Sequence, residues 1–314
     1  LLLGTRLQDF TTGSWTCFQD ENVRFININT AAFDAHKHRS LPVVGDALAC
    51  LSELDDAMGD WSAPPARMAQ AQAAMAEWRA YLNERRTPDN QTPTYAQVVG
   101  AVNELSTADD SVLTAAGGLP GEMNKGWLAK SHRSYDCEYG FSCMGYEVAA
   151  GIGVDMAAPD RPNVIFAGDG SYLMLNAELA TAVMMGSNMT LIITDNRGFG
   201  CINRLQAGTG GAAFNNMFVD SHHQMLPDID FVGHAAAMGA RAQKAGSVTE
   251  LEEMTRHAIT RKGVDVIVID TDPAISTAAG GAWWEVGVPA VSERAEVAAA
   301  YEGWRDGKER QLGE

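Results

Sequence analysis

Two short apolar runs separated by one helical pattern constrain this chain more than any other feature. The runs cover residues 163–167 and 190–194, and apolar side chains recur at helical spacing over 173–185 between them. A strand, a helix and a second strand in this order form a right-handed crossover, which makes the two strands parallel. The sequence therefore predicts a parallel sheet in this region.

The same alternation extends over most of the chain. Further strands are predicted at residues 1–3, 25–28, 42–44, 111–115 and 264–270, and further helices at 64–86, 95–105, 144–156, 231–238 and 249–261. Alternating strands and helices are typical of sheets that carry helices on both faces. We predict an α/β fold with doubly wound parallel sheets.

Composition argues against several classes of partner and location. Lys and Arg number 23 against 40 Asp and Glu, a net charge of −17 without a basic cluster, so we expect no nucleic-acid partner. No apolar run approaches the roughly 18 residues of a membrane span, and we expect no membrane association. Five cysteines without a C-x-x-C pair indicate neither a disulfide framework nor a zinc site, which favours a reducing, cytoplasmic location.

Polar residues follow the two central strands at the points where they end. Gly168, Asp169, Gly170 and Ser171 follow the first strand, and Asn196 follows the second. Parallel strands bring their carboxyl ends to one edge of the sheet, so we expect Asp169 to face Asn196 there. A carboxylate and an amide oxygen suit Mg²⁺, which usually completes its shell with waters and phosphates. The N–H groups of Gly170 and Ser171 favour the same anion.

These residues resemble the signature of enzymes that depend on thiamine diphosphate, in which Gly-Asp-Gly is followed by a second strand ending in Asn-Asn. The resemblance implies that Asp169, the Asn196 side chain and the Gly198 carbonyl hold Mg²⁺, which binds the cofactor's diphosphate. Asp195 stands where the family often has Asn. This departure weakens the resemblance little, because the second position of the pair, here Asn196, supplies the ligand.

Two further segments support the resemblance. Residues 139–145 are similar to a family segment in which a bulky apolar residue, here Met144, props the cofactor into a V shape; a role for Met144 as core filler is the alternative. A glycine-rich turn at 116–121 is similar to the loop that contacts the diphosphate from the other side. The predicted cofactor-binding residues are Gly117, Gly118, Leu119, Ser142, Cys143, Met144, Gly168, Asp169, Gly170, Ser171, Asn196 and Gly198.

Three segments narrow the resemblance within the family. Residues 138–148, 198–203 and 283–288 are similar to hydrolases that open a cyclic 1,2-dione to 5-deoxy-glucuronate in myo-inositol catabolism, whereas Val148 and Ala149 stand where acetolactate synthases have Leu-Pro. The implied activity is hydrolytic carbon–carbon cleavage of a small cyclic dione by a homo-oligomer. An acetolactate-synthase-like carboligase or 2-oxo-acid decarboxylase stays an alternative, as does a non-catalytic Mg-diphosphate-binding half of a split enzyme.

The resemblance also implies a domain organisation. Residues 1–58 would be the C-terminal part of a middle, Rossmann-like domain, 59–93 a connecting helix and linker, 94–280 the diphosphate domain and 281–314 a C-terminal extension. In this family the glutamate that activates the cofactor lies on an N-terminal pyrimidine-binding domain, which no segment here resembles. We therefore expect a fragment and assign no catalytic residue.

The remaining reactive side chains give weaker signals. The seven histidines show no metal-ligand spacing, and His222 and His223 are expected at the surface. His132 could face a substrate. Cys143 and Cys201 are expected to be packed rather than nucleophilic. The pair Trp283-Trp284 could cap a ring-shaped substrate or a subunit boundary, and the sequence does not decide between them.

Overall fold

The computed structural model of this chain describes residues 1–87, 92–226, 228–278 and 283–311. Two compact units are present. Unit 1 contains residues 1–76, 208–211 and the C-terminal stretch from Ala278, and unit 2 contains 77–207 and 212–277. These units differ from the predicted domains in two ways. The C-terminal stretch, predicted as a separate extension, lies in the same unit as the N-terminal strands, and the predicted connecting segment 59–93 is divided at Ala76.

Hydrogen bonds and packing explain why the C-terminal stretch belongs to unit 1. The backbone N–H of Glu285 donates to Ser14 Oγ at 2.8 Å, and the side chain of Gln311 donates to the Ser14 carbonyl at 2.8 Å. Trp283 lies so close to Gly307 that a Cβ atom there would be 2.3 Å from the indole ring. These contacts join segments that are distant in the chain, and linear patterns do not show them.

Unit 1 is built on a small parallel sheet in the order β1-β2-β3. The three predicted strands are present, each shifted by no more than one residue at either end. The strands are β1 (Leu2–Leu3), β2 (Ile26–Asn29) and β3 (Leu41–Val44), and the helices are α1 (Asp9–Thr12), α2 (Ala32–Ala35), α3 (Ala47–Met58), the first half of α4 (Pro65–Arg86) and α13 (Ala295–Glu309).

Unit 2 is built on a six-stranded sheet, all parallel, in the order β5-β4-β6-β7-β9-β8. Its strands are β4 (Ser111–Thr114), β5 (Tyr135–Cys137), β6 (Asn163–Gly168), β7 (Met189–Asp195), β8 (Arg241–Ala245) and β9 (Val264–Asp270). Its helices are α5 (Tyr95–Leu105), α6 (Gly118–Gly126), α7 (Tyr146–Ala157), α8 (Asp169–Met174), α9 (Glu178–Met185), α10 (Gly200–Gly208), α11 (Phe231–Ala237) and α12 (Val248–Ala258).

The core of unit 2 lies on both faces of this sheet. Side chains alternate along β6, so Ile165 packs in a cluster with α7, α9 and α11, while Phe166 packs in a second cluster with α5 and α12. Strands β7 and β9 alternate in the same way. Apolar burial on both faces explains why these strands read as continuous apolar runs, and the predicted doubly wound α/β fold is confirmed.

The prediction of a single helix at 173–185 is wrong. Helix α8 begins at Asp169, directly after β6, and ends before Leu175, whose φ of −144° is not helical; α9 begins at Glu178. The sequence patterns also missed β5, α6, β8 and α10. Strand β8 lies at the edge of the sheet and exposes most of its side chains, so it lacks the apolar alternation on which such predictions depend.

None of the helices in the described part of the chain is long and apolar enough to cross a membrane.

We expect Leu191→Ala to lower the free energy of unfolding by about 2–5 kcal/mol, because Leu191 is completely buried in β7 and its truncation leaves a cavity. Chemical denaturation measures this change. Met184→Ala is the matched control, because Met184 is 79% exposed and should shift stability by no more than about 0.5 kcal/mol. Equal losses in the two variants would contradict the placement of β7 at the centre of the core.

Candidate functional site

The predicted site residues follow two strands that pair in a fixed register. Gly168, the last residue of β6, is paired with Thr194 of β7. The residues that follow this pair, Asp169 at the start of α8 and Asp195 at the end of β7, are therefore placed at the same level of the carboxyl edge. Both carboxylates are buried, with 2% of each residue exposed.

The two carboxylates have different partners. Asp195 accepts from the backbone N–H of Arg197 at 2.9 Å and pairs with its guanidinium at 3.1 Å. Asp169 accepts from the backbone N–H of Gly198 at 2.9 Å, and no Lys or Arg in the described ranges pairs with it. Burial, and then the charge of Asp195, raise the pKa of Asp169 to about 7, while N–H groups of Gly170 and Gly198 oppose the shift. A cation at Asp169 would relieve this electrostatic penalty.

Asn196 supplies a second oxygen at this edge. Its side-chain Nδ2 donates to the Tyr95 hydroxyl at 2.7 Å, and its Oδ1 is buried without a hydrogen-bond partner. An orphaned buried carbonyl oxygen is costly, and a hard cation can satisfy it. No group of three His, Cys, Asp or Glu side chains among the described residues is placed to hold a metal ion, so a metal here needs other donors as well. Asp169 and Asn196 are donors that fit Mg²⁺.

Gly198 occupies a position that no other residue fits. Its φ is +150°, and a Cβ atom on it would lie 2.4 Å from the carbonyl oxygen of Asn216. Hydrogen bonds on both sides hold this close approach: Phe199 N–H donates to Asn216 at 2.7 Å, and Phe218 N–H donates to Arg197 at 3.0 Å. The structure thus brings Gly198, Asp169 and Asn196 to one edge, as predicted; their ligand roles stay predictions.

The glycine-rich turn lies at the carboxyl end of β4. Gly117 has a φ of +94° and precedes α6, and a Cβ atom on Gly118 would lie 2.6 Å from Arg204 Nη2. The main chain of this turn therefore lies close to α10. Leu119 is buried in the core instead, so its side chain is not available to a ligand.

Met144 lies in a loop held by a carboxylate. Glu138 accepts from the backbone N–H groups of Phe141 at 2.9 Å and Cys143 at 2.8 Å, and these bonds lower its pKa. Ser142, between them, has a φ of +56°. Met144 is 37% exposed, which argues against the core-filler interpretation. Cys143 is exposed, so the prediction that it is packed is wrong; the strained loop turns it outward.

The Ser171 side chain is bonded within the protein. It is buried, and its hydroxyl donates to Glu147 at 2.7 Å. The Gly170 N–H supports the charged form of Asp169. The anion-binding role of the two backbone N–H groups stays a prediction.

The remaining candidates have mixed surroundings. His132, His222 and His223 are exposed. Cys201 is half-buried and lies against the glycine-rich turn, where a Cβ atom on Gly118 would be 3.4 Å from its Cβ. Trp284 packs against Phe10 within unit 1, with ring centroids 5.1 Å apart and ring planes tilted by 32°. Together with the packing of Trp283 on Gly307, this explains the tryptophan pair as part of unit 1.

Sequence patterns missed three residues of the site. Tyr95 holds Asn196, Arg204 lies against Gly118, and Glu147 accepts from Ser171. Burial, and then the charge of Asp169, raise the pKa of Tyr95 to about 12. Of these residues only Glu147 carried a signal, as the acidic residue in the first turn of a largely apolar helix.

Comparison with known proteins gives a consistent result. Residues 115–269 match the family model described as "Thiamine pyrophosphate enzyme, C-terminal TPP binding domain". The chain is 34% identical over 331 aligned residues to a 3D-(3,5/4)-trihydroxycyclohexane-1,2-dione hydrolase from Bacillus cereus (strain AH820), and to the hydrolase of the same name from Bacillus thuringiensis (strain Al Hakam). Each alignment covers 96% of this chain and 51% of the relative, so the chain spans about half the length of the curated relatives it matches.

Solved structures share the fold. A thiamine diphosphate-dependent 4-hydroxybenzoylformate decarboxylase from Rhodococcus jostii RHA1 matches with a TM-score of 0.62 and 16% identity, over 80% of this chain and 44% of that one. A benzoylformate decarboxylase from Polynucleobacter necessarius matches with a TM-score of 0.51 and 18% identity, over 61% and 36%. Residues 115–269 thus form a C-terminal TPP-binding domain of the thiamine pyrophosphate enzyme family.

Proposed function

We propose that this chain supplies the Mg²⁺- and thiamine-diphosphate-binding part of a hydrolase that opens the ring of trihydroxycyclohexane-1,2-dione in myo-inositol catabolism. The observation that carries the proposal is the unpartnered buried oxygen of Asn196 at the edge that also holds Asp169. The hydrolase relatives, aligned over 96% of the chain, support the choice of substrate.

The residues of this chain have binding and orienting roles in the proposal. Asp169, Asn196 and the Gly198 carbonyl hold Mg²⁺ against the diphosphate of the cofactor. Tyr95 orients the Asn196 amide through its 2.7 Å hydrogen bond, which leaves Oδ1 for the metal. Met144 supports the cofactor's shape from a loop fixed by Glu138. Bound thiamine diphosphate supplies the carbon nucleophile that makes carbon–carbon cleavage at a carbonyl possible.

A complete reaction needs groups beyond those assigned here. We propose that a glutamate on a pyrimidine-binding domain activates the cofactor, and that the site is completed in a homo-oligomer. The 314-residue chain alone should then bind thiamine diphosphate weakly, self-associate and leave the dione intact. Dione hydrolysis by a monomer of this chain would contradict this part of the proposal.

Substrate choice is tested by incubating the complete enzyme separately with the cyclic dione and with pyruvate, each with Mg²⁺ and thiamine diphosphate. We expect ring opening of the dione, followed as acid production, and no carbon dioxide or acetolactate from pyruvate. Turnover of pyruvate without dione hydrolysis would favour a carboligase or decarboxylase.

Asp169→Ala should weaken Mg²⁺-dependent binding of thiamine diphosphate by more than about 100-fold, because loss of outer-shell partners alone costs about 10–100-fold at metal sites. Asn196→Ala should weaken it less, since water can replace a neutral ligand. Calorimetric titration measures both. Asp160→Ala, an exposed carboxylate of the same unit, is the control and should bind as the wild type does. A larger loss at Asn196 than at Asp169 would reverse the assigned roles.

Met144→Ala should lower kcat of the complete enzyme by about tenfold or more while changing cofactor affinity little, because small misplacements of reacting groups slow chemistry strongly. Met144→Leu, which keeps the apolar bulk, should recover most of the rate. Met156→Ala tests for a general effect of methionine loss, since Met156 is 69% exposed. Parallel losses of affinity and kcat, or a lowered melting temperature that accounts for both, would count against the prop.

A further inference from the structure

Glu147 is a buried carboxylate with no role in the proposed chemistry. It lies in the first turn of α7, only 1% of the residue is exposed, and burial raises its pKa. None of the described Lys and Arg side chains forms an ion pair with it. Burying such a group is costly unless hydrogen bonds satisfy it. The positions of its hydrogen-bond partners indicate what Glu147 does in this unit.

Its hydrogen bonds reach three separate segments of unit 2. The Ser171 hydroxyl lies 2.7 and 2.8 Å from the two carboxylate oxygens, the backbone N–H of Gly145 donates to Oε2 at 3.1 Å, and the N–H of Ala116 also supports the charged form. Ser171 in turn accepts from the same Gly145 N–H at 2.9 Å. The result is a closed network around one carboxylate.

Each of these partners lies beside a predicted cofactor residue. Ala116 precedes the turn that begins at Gly117, Gly145 follows Met144, and Ser171 lies two residues after Asp169. The three segments are separate in the chain and meet at the carboxyl edge of the sheet. Glu147 is hydrogen-bonded to two of these segments, at Gly145 and Ser171, and the N–H of Ala116 in the third favours its charged form.

Packing leaves the middle segment little freedom to compensate. Gly145 has a φ of +89°, and a Cβ atom on it would lie 2.9 Å from Leu175 Cβ and 3.2 Å from Met174 Cβ. The main chain therefore passes close to the end of α8. The Gly145 N–H keeps these two hydrogen bonds only if Glu147 and Ser171 keep their positions.

We propose that Glu147 is a positioning residue that fixes the Gly117, Met144 and Asp169 segments relative to one another. The link to cofactor binding rests on the function proposed above, whereas the fixing of the loops does not. A helix cap would be the simpler role, because Glu147 accepts from the N–H at the N-cap of α7. A cap, however, would leave the segments at 116–118 and 170–175 unaffected.

The test compares Glu147→Ala, Glu147→Gln, Ser171→Ala and the Glu147→Ala/Ser171→Ala double variant of this chain by amide hydrogen exchange. Calorimetric titration of the complete enzyme carrying the same variants with thiamine diphosphate and Mg²⁺, and the melting temperature of the chain, are measured alongside. Glu122→Gln is the matched control. Glu122 is also buried and accepts from the backbone N–H and hydroxyl of Thr277, and neither residue belongs to the three segments.

We expect Glu147→Ala to speed exchange at 116–118, at Gly145 and at 170–175, and to weaken cofactor binding by about tenfold or more, comparable to loss of an outer-shell partner. Ser171→Ala should loosen Gly145, and the double variant should lose less than the sum of the single losses, because the two residues share one network. Glu147→Gln should recover most of both effects, since its amide oxygen can accept from Gly145 and its NH₂ group can donate to Ser171. Glu122→Gln should leave the three segments unchanged.

Faster exchange confined to α7 in Glu147→Ala, or equal loosening of the three segments in Glu122→Gln, would overturn the proposal. If Glu147→Ala does not fold, Glu147→Gln and Ser171→Ala decide it: loosening at Gly145 in Ser171→Ala supports the network, and unchanged exchange there contradicts it. Failure of the complete wild-type enzyme to bind thiamine diphosphate would contradict the proposed function instead, and the exchange data on this chain would still decide the role of Glu147.

Discussion

The register between β6 and β7 is the constraint on which the site depends. Pairing of Gly168 with Thr194 places Asp169 beside Asp195 where both strands leave the sheet. A shift of one residue would turn alternate side chains to the other face and separate the two carboxylates along the edge. The apolar clusters on both faces of the sheet resist such a shift, so the same burial that stabilises the fold sets the geometry of the site.

This geometry buries two carboxylates, Asp169 and Asp195, side by side, and their surroundings stabilise the two charges to different extents. Arg197 neutralises Asp195, whereas the backbone N–H groups of Gly170 and Gly198 support the charge of Asp169 without supplying a full positive one, and Asp195 opposes it. Together with the unpartnered Oδ1 of Asn196, this makes the edge electrostatically incomplete. A divalent cation is the group that we propose completes it, and its donors would be Asp169 and Asn196.

Carboxylates also shape the surrounding loops. Glu138 holds the N–H of Cys143, and Glu147, with Ser171, holds the N–H of Gly145, so the residues on either side of Met144 are both fixed. Binding sites need rigid support because a small displacement of a prop or ligand changes the chemistry strongly. In this unit, acidic side chains that contact no predicted ligand supply that support.

The sequence by itself determined the doubly wound class, the central strands and the Asp169 and Asn196 pair. Each of these depends on local periodicity or on a strand end, which neighbouring residues define. Tertiary structure alone decided the break between α8 and α9, the edge strand β8 and the supporting side chains. Tyr95 lies 101 residues from Asn196 and Glu147 lies 24 from Ser171, so no local pattern relates them. Their hydrogen bonds exist because parallel strands bring distant segments to one edge, and only the folded chain shows which side chains meet there.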